Sequence, residues 1–200
     1  LYDQMEPLKY DVVICPHCGY AALTRFFGGL TAGQIKAIKE NISANFHPVK
    51  EEKETYTYEE ALYRYKLCLA NTIVKHGKVS EKAYICLKAG WLLRSMGENL
   101  DPAEEDYNKK MQEIKEQEKD FLKNALDGLI TARQTENYPI CGMDEVTLEY
   151  LIAVLAMEFE KYDISSRLIY NILNTPTVNN RIKDKAREVK DELLQQMGKK

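Results

Sequence analysis

The chain has few of the residues from which most enzyme sites are built. Its 200 residues include three histidines, His17, His47 and His76, which form no group in the sequence. There is no phosphate-binding glycine loop, no Gly-x-Ser-x-Gly and no His-Glu-x-x-His. No catalytic constellation is found, and a non-enzymatic protein is expected. A basic excess is also missing: 28 Lys and Arg stand against 31 Asp and Glu, for a net charge of −3. That argues against a nucleic-acid or membrane-surface binder, since such proteins usually carry a surplus of positive charge. The longest apolar run lies around Tyr150 to Met157, far short of the roughly 20 residues a membrane span requires. No basic, apolar and small-residue leader opens the chain. It begins at Leu1 without an initiator methionine, so a piece of a longer protein is expected.

The five cysteines, Cys15, Cys18, Cys68, Cys86 and Cys141, are odd in number and widely spread. A disulfide scaffold is dense and even in cysteine, so a reducing, cytoplasmic setting is expected. In it Cys68 and Cys86 read as small buried hydrophobes.

Residues 1–30 differ from the rest. Tyr10 to Ile14 (YDVVI) reads as a strand, and Gly19, Gly28 and Gly29 punctuate the stretch after it. From Thr31 on the pattern is helical. Thr31 caps a first helix with Ile35, Ile38 and Ile42 on one face. A charged loop covers His47 to Tyr56. A second helix over Tyr58 to His76 carries a stripe of Ala61, Leu62, Tyr65, Cys68, Leu69, Thr72 and Ile73, with Gly77 at its C-terminal stop. A third, Ser80 to Met96, ends at Gly97 and has Gly90 on its inner stripe. Asp101-Pro102 starts a fourth that runs to about Arg133, with Asp as cap and Pro in first position. Residues 137–144 read as a loop. Helices then cover Glu145 to Glu160, Ile164 to Leu173 and Asn179 to Gln196.

Helix pairs joined by short turns suggest tetratricopeptide-like units of about 34 residues, with small residues at the helix crossings. From Tyr150, YLIAVLAMEFEKYDISSRLIYNILNTP places Ala153 and Ser165 at the small positions and Pro176 at the end. The expected fold is all-α: tetratricopeptide-like hairpins over 31–200, stacked in a right-handed array, behind a short β/knuckle segment at 1–30. The alternative is an irregular helical bundle.

The sequence CPHCG is the one stretch with chemical character. A zinc knuckle is a tight turn that aims two thiolates at one metal, with a strand before the first Cys and a Gly after the second. Cys15 and Cys18 match that pattern and are the candidate metal ligands, with zinc the implied cofactor of the intact protein. Zinc takes four ligands, and the chain has no second Cys-x-x-Cys, so this is a half-site. His17 would point outward, and His47, His76 and Cys141 have no support as the missing ligands. The same tetrapeptide also serves strongly oxidising thioredoxin-fold enzymes, where a helix N-terminus lowers the first thiol's pKa. That chemistry needs a βαβ context which is not seen here. A thiol-redox or metal-responsive sensor is therefore the alternative function, and an incidental pair is a third reading.

Trp91 and Arg94, one turn apart, are candidate binding residues. Arg94 could offer its guanidinium to a partner's carboxylate, or simply be a surface arginine. The expected partner is a protein or peptide, without membrane contact, and the acidic balance counts against nucleic acid.

YDVVICPHCGYAA, TAGQIKAIKENI, AGWLLRSMGE and YLIAVLAMEFEKYDISSRLIYNIL together resemble the bacterial domain of unknown function 2225, over most of Tyr10 to Leu173. The resemblance implies a zinc-ribbon-like N-terminus followed by tetratricopeptide-like helices. The family pattern also has a Cys-x-x-Cys upstream of the knuckle, which this chain lacks. It implies no activity.

Overall fold

The computed structural model describes residues 7–48, 55–103 and 105–198. The element order is a short β-hairpin followed by seven helices, and the chain divides into two compact units, Leu1–Ala125 and Leu126–Lys200. The expected N-terminal segment 1–30 lies within the first unit. The expected charged loop falls mostly outside the described residues.

In the first unit, β1 (Val12–Ile14) pairs antiparallel with β2 (Ala21–Leu23) in the register Val12–Leu23, Val13–Ala22 and Ile14–Ala21. Val12 and all of β2 are buried, while Val13 is exposed. α1 (Ala32–Asn41) and α2 (Tyr58–Val74) each open on a full capping box, Thr31 with Gln34 and Thr57 with Glu60. Each box satisfies backbone donors that the first turn leaves free. α3 (Val79–Glu98) packs against α2, and α4 (Tyr107–Thr135) comes next, its residues from Leu126 on belonging to the second unit. One core joins the hairpin to the helices: Val12, Ala21 and Leu23 lie among Ala61, Tyr65 and Cys68 of α2 and Ile85, Ala89 and Leu92 of α3. An isolated two-stranded hairpin is marginal at best in water, and α2 supplies the missing apolar face. It also supplies polar ties, since Tyr65 Oη donates to the Leu8 carbonyl at 2.9 Å. Arg64 Nη1 donates to the Val12 carbonyl at 3.3 Å, with the guanidinium 3.9 Å from the Tyr56 ring centroid.

Several expected boundaries move. α2 closes in a Schellman arrangement, with Gly77 N–H on the Thr72 carbonyl and His76 N–H on that of Ile73. The left-handed residue of this motif is His76, at φ +52°, and Gly77 follows it. Ile73 is 55% exposed and is not on the buried stripe; Ile35 is likewise 41% exposed, leaving Ile38 as the buried residue of α1. Gly97 does not end α3 but lies inside it, against Met111 and Ile114. Asp101 does not cap α4. Its Oδ1 accepts from Ala103 N–H in a local turn, and the helix begins at Tyr107. At Gly90 the backbone of α3 approaches α4 so closely that a Cβ would sit 2.4 Å from Leu122 Cδ2.

In the second unit, Cys141 and Gly142 both take positive φ, and Ile140 bridges Met143 across them, a tight two-residue reversal. Asp144 then caps α5 (Glu145–Glu158). α5 packs on α6 (Tyr162–Asn174), and α6 on α7 (Asn180–Met197), which Asn179 caps. The fully buried Ser165 donates its Oγ to the Ala153 carbonyl at 2.8 Å. These two small residues mark the α5–α6 crossing. Glu149, nearly buried, is neutralised by Arg133 of α4.

Candidate functional site: the two-cysteine hairpin

Cys15 follows β1 and Cys18 shortly precedes β2, so both thiols stand at the tip of the hairpin. The turn is closed by Cys15 N–H on the Tyr20 carbonyl at 2.8 Å and Gly19 N–H on the Cys15 carbonyl at 3.0 Å. Gly19 is required twice over. It has φ +72°, and a Cβ there would lie 2.5 Å from the Phe46 ring.

The turn is held from behind by residues with no signal in the sequence. Ser43 Oγ donates to the Cys18 carbonyl at 2.8 Å. Asn71 Nδ2, fully buried on α2, donates to the Gly19 carbonyl at 3.1 Å. Tyr20, Ala22 and Ile38 form a small core beneath, against which both cysteines, Leu30, Ile42 and Val74 pack.

The two thiols differ. The backbone N–H groups of His17 and then Cys18 point at the Cys15 sulfur and hold its pKa below the ordinary thiol value. Burial raises that of Cys18, partly opposed by the Tyr20 amide and the Lys39 charge. Both cysteines are free and half-buried. Amides aimed at a sulfur favour thiolate, the form that binds metal. Burial pushes Cys68 up to about 12 and Cys86 up to about 11, and both are packing residues.

The hairpin tip thus carries two free thiols, the pair expected as metal ligands. Among the described residues no group of three or more His, Cys, Asp or Glu could hold a metal ion. His17, His47 and His76 are all exposed. Trp91 is half-buried on α3. Arg94 Nε lies 2.6 Å from Glu118 Oε1 of α4, so a carboxylate of its own chain occupies it. That partner is 24 residues away, beyond the reach of helical spacing.

Fold and hairpin together define an all-α protein with an N-terminal two-cysteine β-hairpin fastened to its helices. The chain belongs to the family described as an uncharacterized protein conserved in bacteria (DUF2225), whose model matches residues 1–193. No curated protein and no solved structure matches it. No helix among the described residues is long and apolar enough to cross a membrane.

Proposed function

We propose that the chain is a non-enzymatic protein-interaction module whose helix pairs form the docking surface and whose hairpin is half of a structural zinc site. The observation that carries the metal reading is the held turn: Ser43 and Asn71 fix the Cys18 and Gly19 carbonyls with both thiols at the hairpin tip. The backbone amides of His17 and Cys18, which lower the Cys15 pKa, complete this cradle. Cys15 and Cys18 would hold the zinc, which would order the turn as an electrostatic cross-link. The other two ligands come from outside the described residues. The small-residue contact of Ala153 with Ser165, and the succession α5, α6, α7, support tetratricopeptide-like stacking in the second unit. Such stacked helices serve as binding surfaces.

Cobalt(II) titration tests the half-site, with and without a synthetic Cys-x-x-Cys peptide in trans. The expected result is thiolate–cobalt absorption that saturates near one metal per chain when the peptide is present. It disappears in Cys15→Ser and Cys18→Ser. No such absorption under either condition would overturn the zinc reading.

The second reading, a thiol-redox or metal-responsive sensor, draws on the same lowered Cys15 thiol. It lacks the usual source of activation. The residues after Cys18 enter β2, and no helix begins at the pair.

A further inference from the structure

Three of the large hydrophobic side chains that remain exposed among the described residues lie in one place in the second unit. Tyr170 is 67% exposed, Leu194 59% and Met197 51%. They line a groove of about 420 Å³ between α6 and α7, floored by Ile169, Leu173 and Leu193. A cluster of this kind on a folded surface marks an interaction site more often than scattered single residues do.

Lys190 is the charged residue that lines the groove, and the flank of α7 that runs on from it toward the helix N-terminus adds Lys183 and Arg187. Lys183, Arg187, Lys190, Leu194 and Met197 recur every three or four residues and so share one flank of α7. Asp184 and Asp191 stand beside that flank, and the chain as a whole is acidic. Arg187 is paired with Asp184 on its own helix. Lys183 and Lys190 make no ion pair among the described residues. An apolar trough between two helices, with a cationic rim, matches an amphipathic helix laid into it through residues at i, i+3, i+4 and i+7, with carboxylates beside its apolar stripe. A second copy of this chain in the same groove would bring the two lysine flanks together, so charge disfavours it.

We propose that the α6–α7 groove is the docking face of the module and that its partner is an acidic amphipathic helix. This rests on the interaction-module reading and adds the surface and the chemistry of the partner to it.

The test uses the whole chain and two labelled synthetic peptides of about 15 to 20 residues, long enough to hold a helix. Both carry the same leucine stripe, flanked by Glu in one and Lys in the other, and binding is read by fluorescence anisotropy at low salt. The acidic peptide is expected to bind about five- to tenfold more tightly, as two rim ion pairs provide. Lys183→Glu/Lys190→Glu reverses the preference, and Leu194→Asp weakens both peptides. All three positions lie on the accessible flank of α7, and circular dichroism checks that the variants keep their helices. Acidic-peptide binding that ignores all three substitutions overturns the groove but leaves the module reading in place. Binding of neither peptide overturns both. A concentration-dependent dimer that Leu194→Asp dissociates would assign the groove to a second copy and overturn the proposed partner.

Discussion

Replacing Gly90 by alanine separates helix preference from helix contact. An added methyl at this point of α3 would meet Leu122 Cδ2 at 2.4 Å and Cγ at 2.7 Å. Leu122 is 1% exposed, so it has no solvent side to swing toward. Forcing a methyl into a packed contact costs about 1–3 kcal/mol. Alanine is intrinsically better than glycine inside a helix by about 1 kcal/mol. The net expectation for Gly90→Ala is a loss of up to about 2 kcal/mol. Gly33, on the exposed face of α1, has nothing within 4 Å of its would-be Cβ. Gly33→Ala therefore shows the preference alone and gains up to about 1 kcal/mol. The difference between the two, about 1–3 kcal/mol, measures the contact. Urea unfolding followed by circular dichroism reads it, provided the m-value is unchanged. The cycle closes with Leu122→Ala, which alone costs about 2–5 kcal/mol. In the double variant the new methyl enters the space that the leucine vacates, so the two losses sum to more than the observed loss by about 1 kcal/mol or more. Equal effects of Gly33→Ala and Gly90→Ala, with an additive double variant, would refute the close approach of α3 to α4.

Alkylation should rank the thiols by environment. Thiolate is the reactive species, so the lowered Cys15 pKa moves its rate–pH midpoint to lower pH than that of an ordinary thiol. Cys18 follows at higher pH, and Cys68 and Cys86 stay unmodified in the folded chain; site-resolved mass spectrometry showing Cys18 ahead of Cys15 contradicts the cradle. Lys75 and Glu81 are 7% and 13% exposed and 2.7 Å apart. Lys75→Met strands the carboxylate and should cost about 3 kcal/mol in urea, while Lys75→Met/Glu81→Leu recovers most of it; equal losses in both variants would show that the pair is not what matters there. Ser165→Ala removes the bond to the Ala153 carbonyl and should cost about 1 kcal/mol. Ser165→Leu should cost more, because the position is fully buried, and a milder effect of leucine than alanine would contradict a tight crossing.

The helices were legible because their apolar residues recur at helical spacing and their caps are local. Thr31 reads as such a cap, while Asp144 and Asn179, which read as a loop end and a helix start, also bond a backbone amide three residues on. The illegible parts depend on partners far away in sequence. β2 is buried at all three positions, so Ala21-Ala22-Leu23 shows no alternation to read. Asp101-Pro102 has the composition of a helix start, but the Asp side chain is used in a local turn. His76 rather than Gly77 takes the left-handed place because the 6→1 bond to Thr72 sets the count from inside α2. In the hairpin, CPHCG announced the two thiols and the glycine. It gave no hint of Ser43, Phe46 or Asn71, and the two of these that hydrogen-bond to the turn come from 25 and 52 residues downstream. Arg94 likewise finds its carboxylate on another helix.

Because Val12, Ala21 and Leu23 share a core with α2 and α3, the hairpin cannot fold or unfold on its own account. Whatever binds its tip only when it is folded stabilises the helices behind it by mass action, about 2.7 kcal/mol at one hundred times the dissociation constant. Occupancy of a short turn is thereby converted into slower hydrogen exchange along α2, a signal that travels through the folding equilibrium without any change of shape.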